Sequence, residues 1–170
     1  MTTVSVLLAG VLTRELVSLR KEIEAYPAEE DLWRVAEGIT NPGGTLALHL
    51  AGNLQHFVGA VLGNTGYVRD RDAEFADRGV PRTEVLARID AAIAAVEQTL
   101  PRLAESDLAR EYPVPVGKFR FETGDFLIHL ASHLAYHLGQ VDYHRRLITK
   151  SGTTFSTVAP WRLRTAREDT

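Results

Sequence analysis

A chain of 170 residues with 45% hydrophobic and 24% charged residues has the make-up of one ordinary globular domain, long enough for a four-element bundle around a buried core. Its formal net charge is −3 and its basic residues are scattered rather than gathered on a stripe, which argues against a nucleic-acid-binding face. With no cysteine there are no disulfides, no thiolate metal ligands and no cysteine nucleophile, a composition that fits a cytoplasmic protein.

The first apolar run is amphipathic over about residues 2–25: Val4, Leu7, Leu8, Val11, Leu12, Leu16 and Leu19 recur at three- and four-residue steps and predict a helix ending at Tyr26-Pro27. Arg14, Glu15 and Arg20 interrupt it too early for a membrane span or a signal segment. A short helical turn is expected in AEEDLWRVA, with its acidic residues early. Asn41-Pro42 then reads as the N-cap and first position of a second helix running to about Gly63.

Residues 63–82 are charged and aperiodic and read as a long loop, a length that is often functional in a small domain. Arg69, Asp70, Arg71, Asp72 and Glu74 lie within it, and their ordinary reading is a solvated, internally paired loop, with a lid or a dimer contact as the alternative. A third helix is predicted from about Thr83 to Leu103, kinked or ended by Pro101. YPVPVGKFRFET alternates apolar and polar residues and predicts an extended stretch or short β-hairpin before the fourth helix, Thr123 to Thr149. The fold expected is therefore all-α, a four-helix bundle over residues 1–150 with one long crossover. Residues 151–170 form a tail whose Phe155, Trp161 and Leu163 need a surface, either the bundle or a dimer partner, and whose WRLRTAR is a small basic cluster.

Histidines carry the chemistry. Four of the six fall within sixteen residues, His129, His133, His137 and His144, and the first three recur every fourth residue as a column on one helical face. Neutral imidazole is the commonest protein ligand for a transition metal. Two histidines at i and i+4 converge on one cation, whereas the outer pair His129 and His137 stand about 12 Å apart along a helix rising 1.5 Å per residue. So either His129/His133 or His133/His137 is the pair, and His49 in the second helix supplies a third ligand from across the bundle. Three imidazoles and a water leave the open position of a catalytic site. His144, beside Arg145 and Arg146, reads instead as a core or surface residue, and so, by itself, does His56.

The segment from His129 to Gln140, HLASHLAYHLGQ, resembles the last-helix motif of the DinB/YfiT-like metalloenzymes, the DinB superfamily, in which H-x3-H is followed by R-G-Q. His49, early in a helix after a Pro-Gly turn, resembles that family's first ligand, and the helical layout fits nearly the whole chain. The resemblance implies that His133 and His137 join His49 on the metal. It also implies an up-down-down-up bundle with the long connection between helices 2 and 3, a divalent ion such as nickel or zinc, an external low-molecular-weight thiol in some members, and a homodimer. Leu138 stands where the motif carries Arg, which removes a cation from that position.

The remaining polar residues take supporting roles. Asn53 and Gln140 read as hydrogen-bonders to the ligands, Tyr143 as a residue one turn further on, and Asp125 as a helix-start carboxylate or an orienter of His129. No carboxylate stands beside the histidine pair as in H-E-x-x-H, so His129 or His56 is the candidate proton carrier. The function expected is a metal-dependent enzyme acting on a small-molecule substrate, by thiol transfer or by hydrolysis. The alternative is a non-catalytic dimeric helical protein whose ion clips two helices together. No nucleic-acid or membrane partner is expected.

Overall fold

Thr3 opens the first helix, its hydroxyl accepting from the Val6 amide, and α1 runs Val4–Glu24. Its inner face, Leu12, Leu16, Leu19 and Ile23, is completely buried. The computed structural model describes residues 2–155, 159–163 and 165–168, and every regular element among them is helical. The other long helices are α2 (Gly43–Leu54), α4 (Arg82–Thr99) and α6 (Thr123–Thr149), and short helices α3 (Arg71–Ala76) and α5 (Glu105–Leu108) sit in the connections. A 3-10 turn, Glu30–Trp33, lies in the segment expected to be helical after Pro27.

Cross-chain bonds give the helix directions. Glu22 meets Arg145, so α1 runs alongside α6 in the same sense, whereas Ser5 bonds the Leu103 carbonyl and Arg20 meets Asp90, so α1 and α4 are antiparallel. Gln55 bonds the Arg88 carbonyl, and Gly59 and Gly63 approach Ala95 and Thr99, so α2 and α4 run in the same sense. Gly43 faces His144 and Phe57 faces Phe126, which makes α2 and α6 antiparallel.

All twelve residues of α2 are buried. That is possible because it begins with two glycines at close approaches: a Cβ on Gly43 would overlap the Tyr26 hydroxyl, and one on Gly44 would press into the Trp33 ring. His144 locks the same end. Its Nδ1 accepts from the Tyr26 hydroxyl at 2.7 Å and from the Gly43 amide at 3.3 Å, and its Nε2–H donates to the Arg34 carbonyl at 2.8 Å. With both nitrogens used and burial holding its pKa below the ordinary value, His144 is a neutral clamp for α2, α6 and the first connection.

Three elements differ from the sequence expectations, while the third helix breaks at Pro101 as its sequence predicts. The loop over residues 63–82 contains α3, whose N-terminus Asp70 caps by accepting from the Ala73 amide. The second helix changes after Leu54 into a π-helical turn, Gln55–Ala60, and this one-residue widening rotates the later residues relative to a straight helix. The third helix ends at Thr99 in a 3-10 turn carrying Pro101, and α5 comes after it. The hairpin expected before the last helix is a fold-back closed by two isolated antiparallel bridges, Glu111 with Glu122 and Val116 with Phe119, and not a strand pair. Pro113 and Pro115 lack the N–H groups that a ladder there would need.

The start of the tail lies against the bundle. Arg145, 1% exposed, donates to Glu22 at 2.5 Å and to the Thr153 carbonyl at 2.7 Å, while the Phe155 amide donates to the other Glu22 oxygen. Trp161 and Leu163 are exposed, and residues 156–158 lie outside the described part. Burial pushes the Glu22 carboxyl up and the Arg145 guanidinium opposes that shift. Arg145→Met strands this carboxylate in the core and is expected to cost about 3–5 kcal/mol in urea unfolding. A loss below about 1 kcal/mol would show the pair to be dispensable.

Candidate metal centre

The antiparallel register of α2 and α6 sets His49 opposite the turn between His133 and His137. Among the described residues these three form a group whose ligand nitrogens all lie within 4.8 Å of one another. His49 Nε2 stands 3.3 Å from His133 Nε2. Two ligands on a tetrahedral ion with bonds of about 2.0–2.1 Å are separated by about 3.3–3.4 Å, so this spacing is that of one edge of a metal tetrahedron.

The nitrogens that would not ligate are held from behind. His49 Nδ1–H donates to Glu74 Oε2 at 3.0 Å, and Arg69 clamps the same carboxylate through Nε at 2.7 Å and Nη2 at 2.8 Å. Arg69 Nη2 also lies 3.4 Å from His49 Nδ1, but a proton on Nδ1 is what lets the nearer carboxylate bind, so Nε2 is left with its lone pair free. His137 Nδ1–H donates to Gln140 Oε1 at 2.6 Å, and its Nε2 is likewise free. Such partners fix ring orientation and tautomer and raise ligand basicity.

Glu74, expected from its charged neighbours to lie in a solvated loop, is 3% exposed and is brought inward by α3. Burial alone would raise its pKa, but hydrogen bonds from Arg69 and His49 and the Arg69 charge outweigh that and hold it below the usual value. Gly52, close to His49 on α2, permits the approach: a Cβ there would overlap the Glu74 carboxylate. A signal existed in the pairing of an acidic residue with a glycine-bearing apolar helix, but sequence separation hid it.

His133 is half-buried, with His49 buried opposite it. Burial, and then the neighbouring His137, His49, His129 and Arg69, lower its pKa to about 4, so it is neutral at pH 7 as a ligand must be. Its Nδ1 is enclosed without a partner, as is the amide oxygen of Asn53 on the facing helix.

The other expected site residues separate into those near this group and those away from it. A cleft of about 230 Å³ opens beside His49 and His133, and His129, Asn53, Phe57 and Phe126 line it. His129 is stacked between Phe126 and His133, and Asp125 makes no hydrogen bond to it among the described residues. His56 sits in the π turn, half-buried, and Phe57 takes the place in the cleft that a straight helix would have offered His56. Tyr143 is on the outside under the Arg146 guanidinium. It lines a larger, separate cavity of about 420 Å³ with Gln140, Thr40 and Asn41. The larger volume is not the centre of chemistry, because none of the three converging imidazoles borders it. Leu138 is buried and borders the α1–α6 groove near Glu15, not the histidine cleft. The cations beside the imidazoles are Arg69 and Arg71 from the crossover.

The model for the DinB superfamily matches residues 12–141, which takes in all three imidazoles and Gln140, and the chain belongs to that superfamily. No curated protein matches the chain. The histidine group is compatible with a divalent metal, and no helix among the described residues is long and apolar enough to cross a membrane.

A nuclear magnetic resonance titration of the metal-free protein is expected to place the His133 midpoint near pH 4. Because the folded value is depressed, the stability tied to this group is complete above the unfolded value of about 6.5 and is lost as pH falls toward 4. A midpoint near 6.5 would contradict the burial of this imidazole.

Proposed function

We propose that this protein is a divalent-metal-dependent transferase in which His49, His133 and His137 hold nickel or zinc and a low-molecular-weight thiol is the nucleophile. The observation that carries the reading is the convergence of three imidazoles, two of them with Nδ1–H already engaged, beside an open cleft. The scaffold fits an up-down-down-up bundle with its crossover between the second and third long helices, and the crossover delivers Glu74. When bound, the ion lowers the pKa of a coordinated thiol or water, supplying a nucleophile at neutral pH.

The chain's own residues then have distinct tasks. Glu74 and Gln140 orient His49 and His137. Asn53 lines the same cleft and its amide oxygen, like His133 Nδ1, has no partner, so it is our candidate to receive the Nδ1–H that His133 would carry once its Nε2 is a ligand. Glu74 is not a general base, since both its oxygens are taken by Arg69 and His49. No carboxylate lines the cleft among the described residues, so the nucleophile, thiol or water, would lose its proton through the ion's effect on its pKa. His129, at the cleft mouth, is the imidazole placed to accept or return a proton, and His56 is not. A clip between two helices would not require the open cleft. Homodimer formation and a cytoplasmic location belong to the same proposal, supported by the family and the cysteine-free composition.

Equilibrium dialysis with zinc is expected to give one ion per chain, none in His133→Ala, and an affinity about 10–100-fold weaker in Glu74→Gln. In the cobalt-loaded protein, cysteamine and dithiothreitol are expected to shift the visible bands. Stoichiometric zinc on His133→Ala, or bands indifferent to every thiol, would contradict the reading.

A further inference from the structure

The outward face of α6 lacks the charges that a helix facing water carries. No Asp, Glu, Lys or Arg occurs over residues 126–141, although Ile128, Ser132, Ala135 and Gly139 in that stretch are exposed. The outward face of α4 has the ordinary pattern, with Glu84, Asp90 and Glu97 exposed along it. The missing charges belong to one face and not to the whole bundle.

The neighbouring part of α1 continues the same surface. It has no charged side chain before Arg14, yet Val4 is 46% exposed and Leu7 40%. Val11 borders one groove with Ala135 and Gly139, and α1 and α6 run in the same sense. Equal steps toward the N-termini of both helices set Leu7 beside Ala131 and Val4 beside Ile128, itself 58% exposed. These residues form one apolar strip along the α1–α6 seam, and a contiguous exposed strip of this kind marks an interaction surface. At about 100° per residue, it lies about 150° around α6 from His133 and His137, so an occupant leaves the histidine cleft open.

The ends of the strip identify the occupant. Asp125 at the start of α6 and Arg146 and Lys150 at its end lie on the strip's side of the helix. Asp125 and Lys150 are exposed and have no ion-pair partner among the described residues, and Arg146 meets only Asp142, at 3.4 Å. A second copy laid antiparallel on this face brings acid to base at both ends and opposes the two helix dipoles, a match that a two-fold axis makes twice. We propose that the α1–α6 strip is the interface of a two-fold homodimer, with Ala135, midway between Asp125 and Arg146, near the axis. This rests on the homodimer reading above and names the surface that forms it.

The test is sedimentation equilibrium of the metal-free protein, in which wild type is expected to have the mass of two chains. Ala135→Arg puts an unpaired charge into the seam from both copies and is expected to raise the dimer Kd about 100-fold or more. Ile128→Glu, at a position already exposed in the single chain, is expected to act in the same direction. Ala91→Arg, on the exposed face of α4, is the control and is expected to remain dimeric. Circular dichroism checks that the variants keep their helices, and their zinc stoichiometry is expected to equal that of wild type. A monomeric wild type would overturn the homodimer reading together with its surface. A dimer that survives both Ala135→Arg and Ile128→Glu would overturn the surface alone.

Discussion

Everything at the site depends on the register between α2 and α6. At one end the Gly43 amide is bonded to His144, and at the other Phe57 packs edge-on against Phe126 at 5.0 Å. Between these two fixed points His49 has one position relative to His133 and His137. A slip of one helical turn, about 5.4 Å, would set His49 against His129 and His133 in one direction and carry it past the column in the other, so the register decides which pair it meets. His144 thus acts on the histidine group from a distance, through the backbone it holds.

The second constraint is the way the crossover enters the bundle. A buried carboxylate is costly unless it is fully bonded, and Glu74 is bonded by Arg69 twice and by His49 once. Arg69, Glu74 and Gly52 work as a unit: the glycine leaves the space, the arginine compensates the charge, and the carboxylate sets the imidazole. Arg71 rides on the same short helix, so the segment that orients His49 also furnishes part of the cleft wall. One connection joins the inner and outer parts of the site.

Much of this was legible in the order of residues. The three- and four-residue steps of Leu12, Leu16 and Leu19, the Pro and Gly punctuation, and the spacing of the histidine column are local properties, and they led to four long helices and to the superfamily. What escaped was non-local. Nothing near Glu74 in sequence tells that its partners are His49, twenty-five residues back, and the space left by Gly52. The π turn at Gln55–Ala60 breaks the 3.6-residue phase on which the placing of His56 relied. Tyr143 shares the helix of His133 and His137, but not their face. His144, read as a core or surface residue, is a core residue, but only the fold shows that its partners are Tyr26, Gly43 and Arg34.

Three imidazole nitrogens, from two helices held in one register, are proposed to bind a single ion and leave a position open. X-ray absorption spectroscopy at the zinc edge of the loaded protein tests this most directly. The predicted shell has three imidazole nitrogens at about 2.0–2.1 Å with one further light atom, and exchanges that atom for sulfur when a thiol is added. A shell with fewer than three imidazoles, or a closed one that no thiol enters, would contradict it.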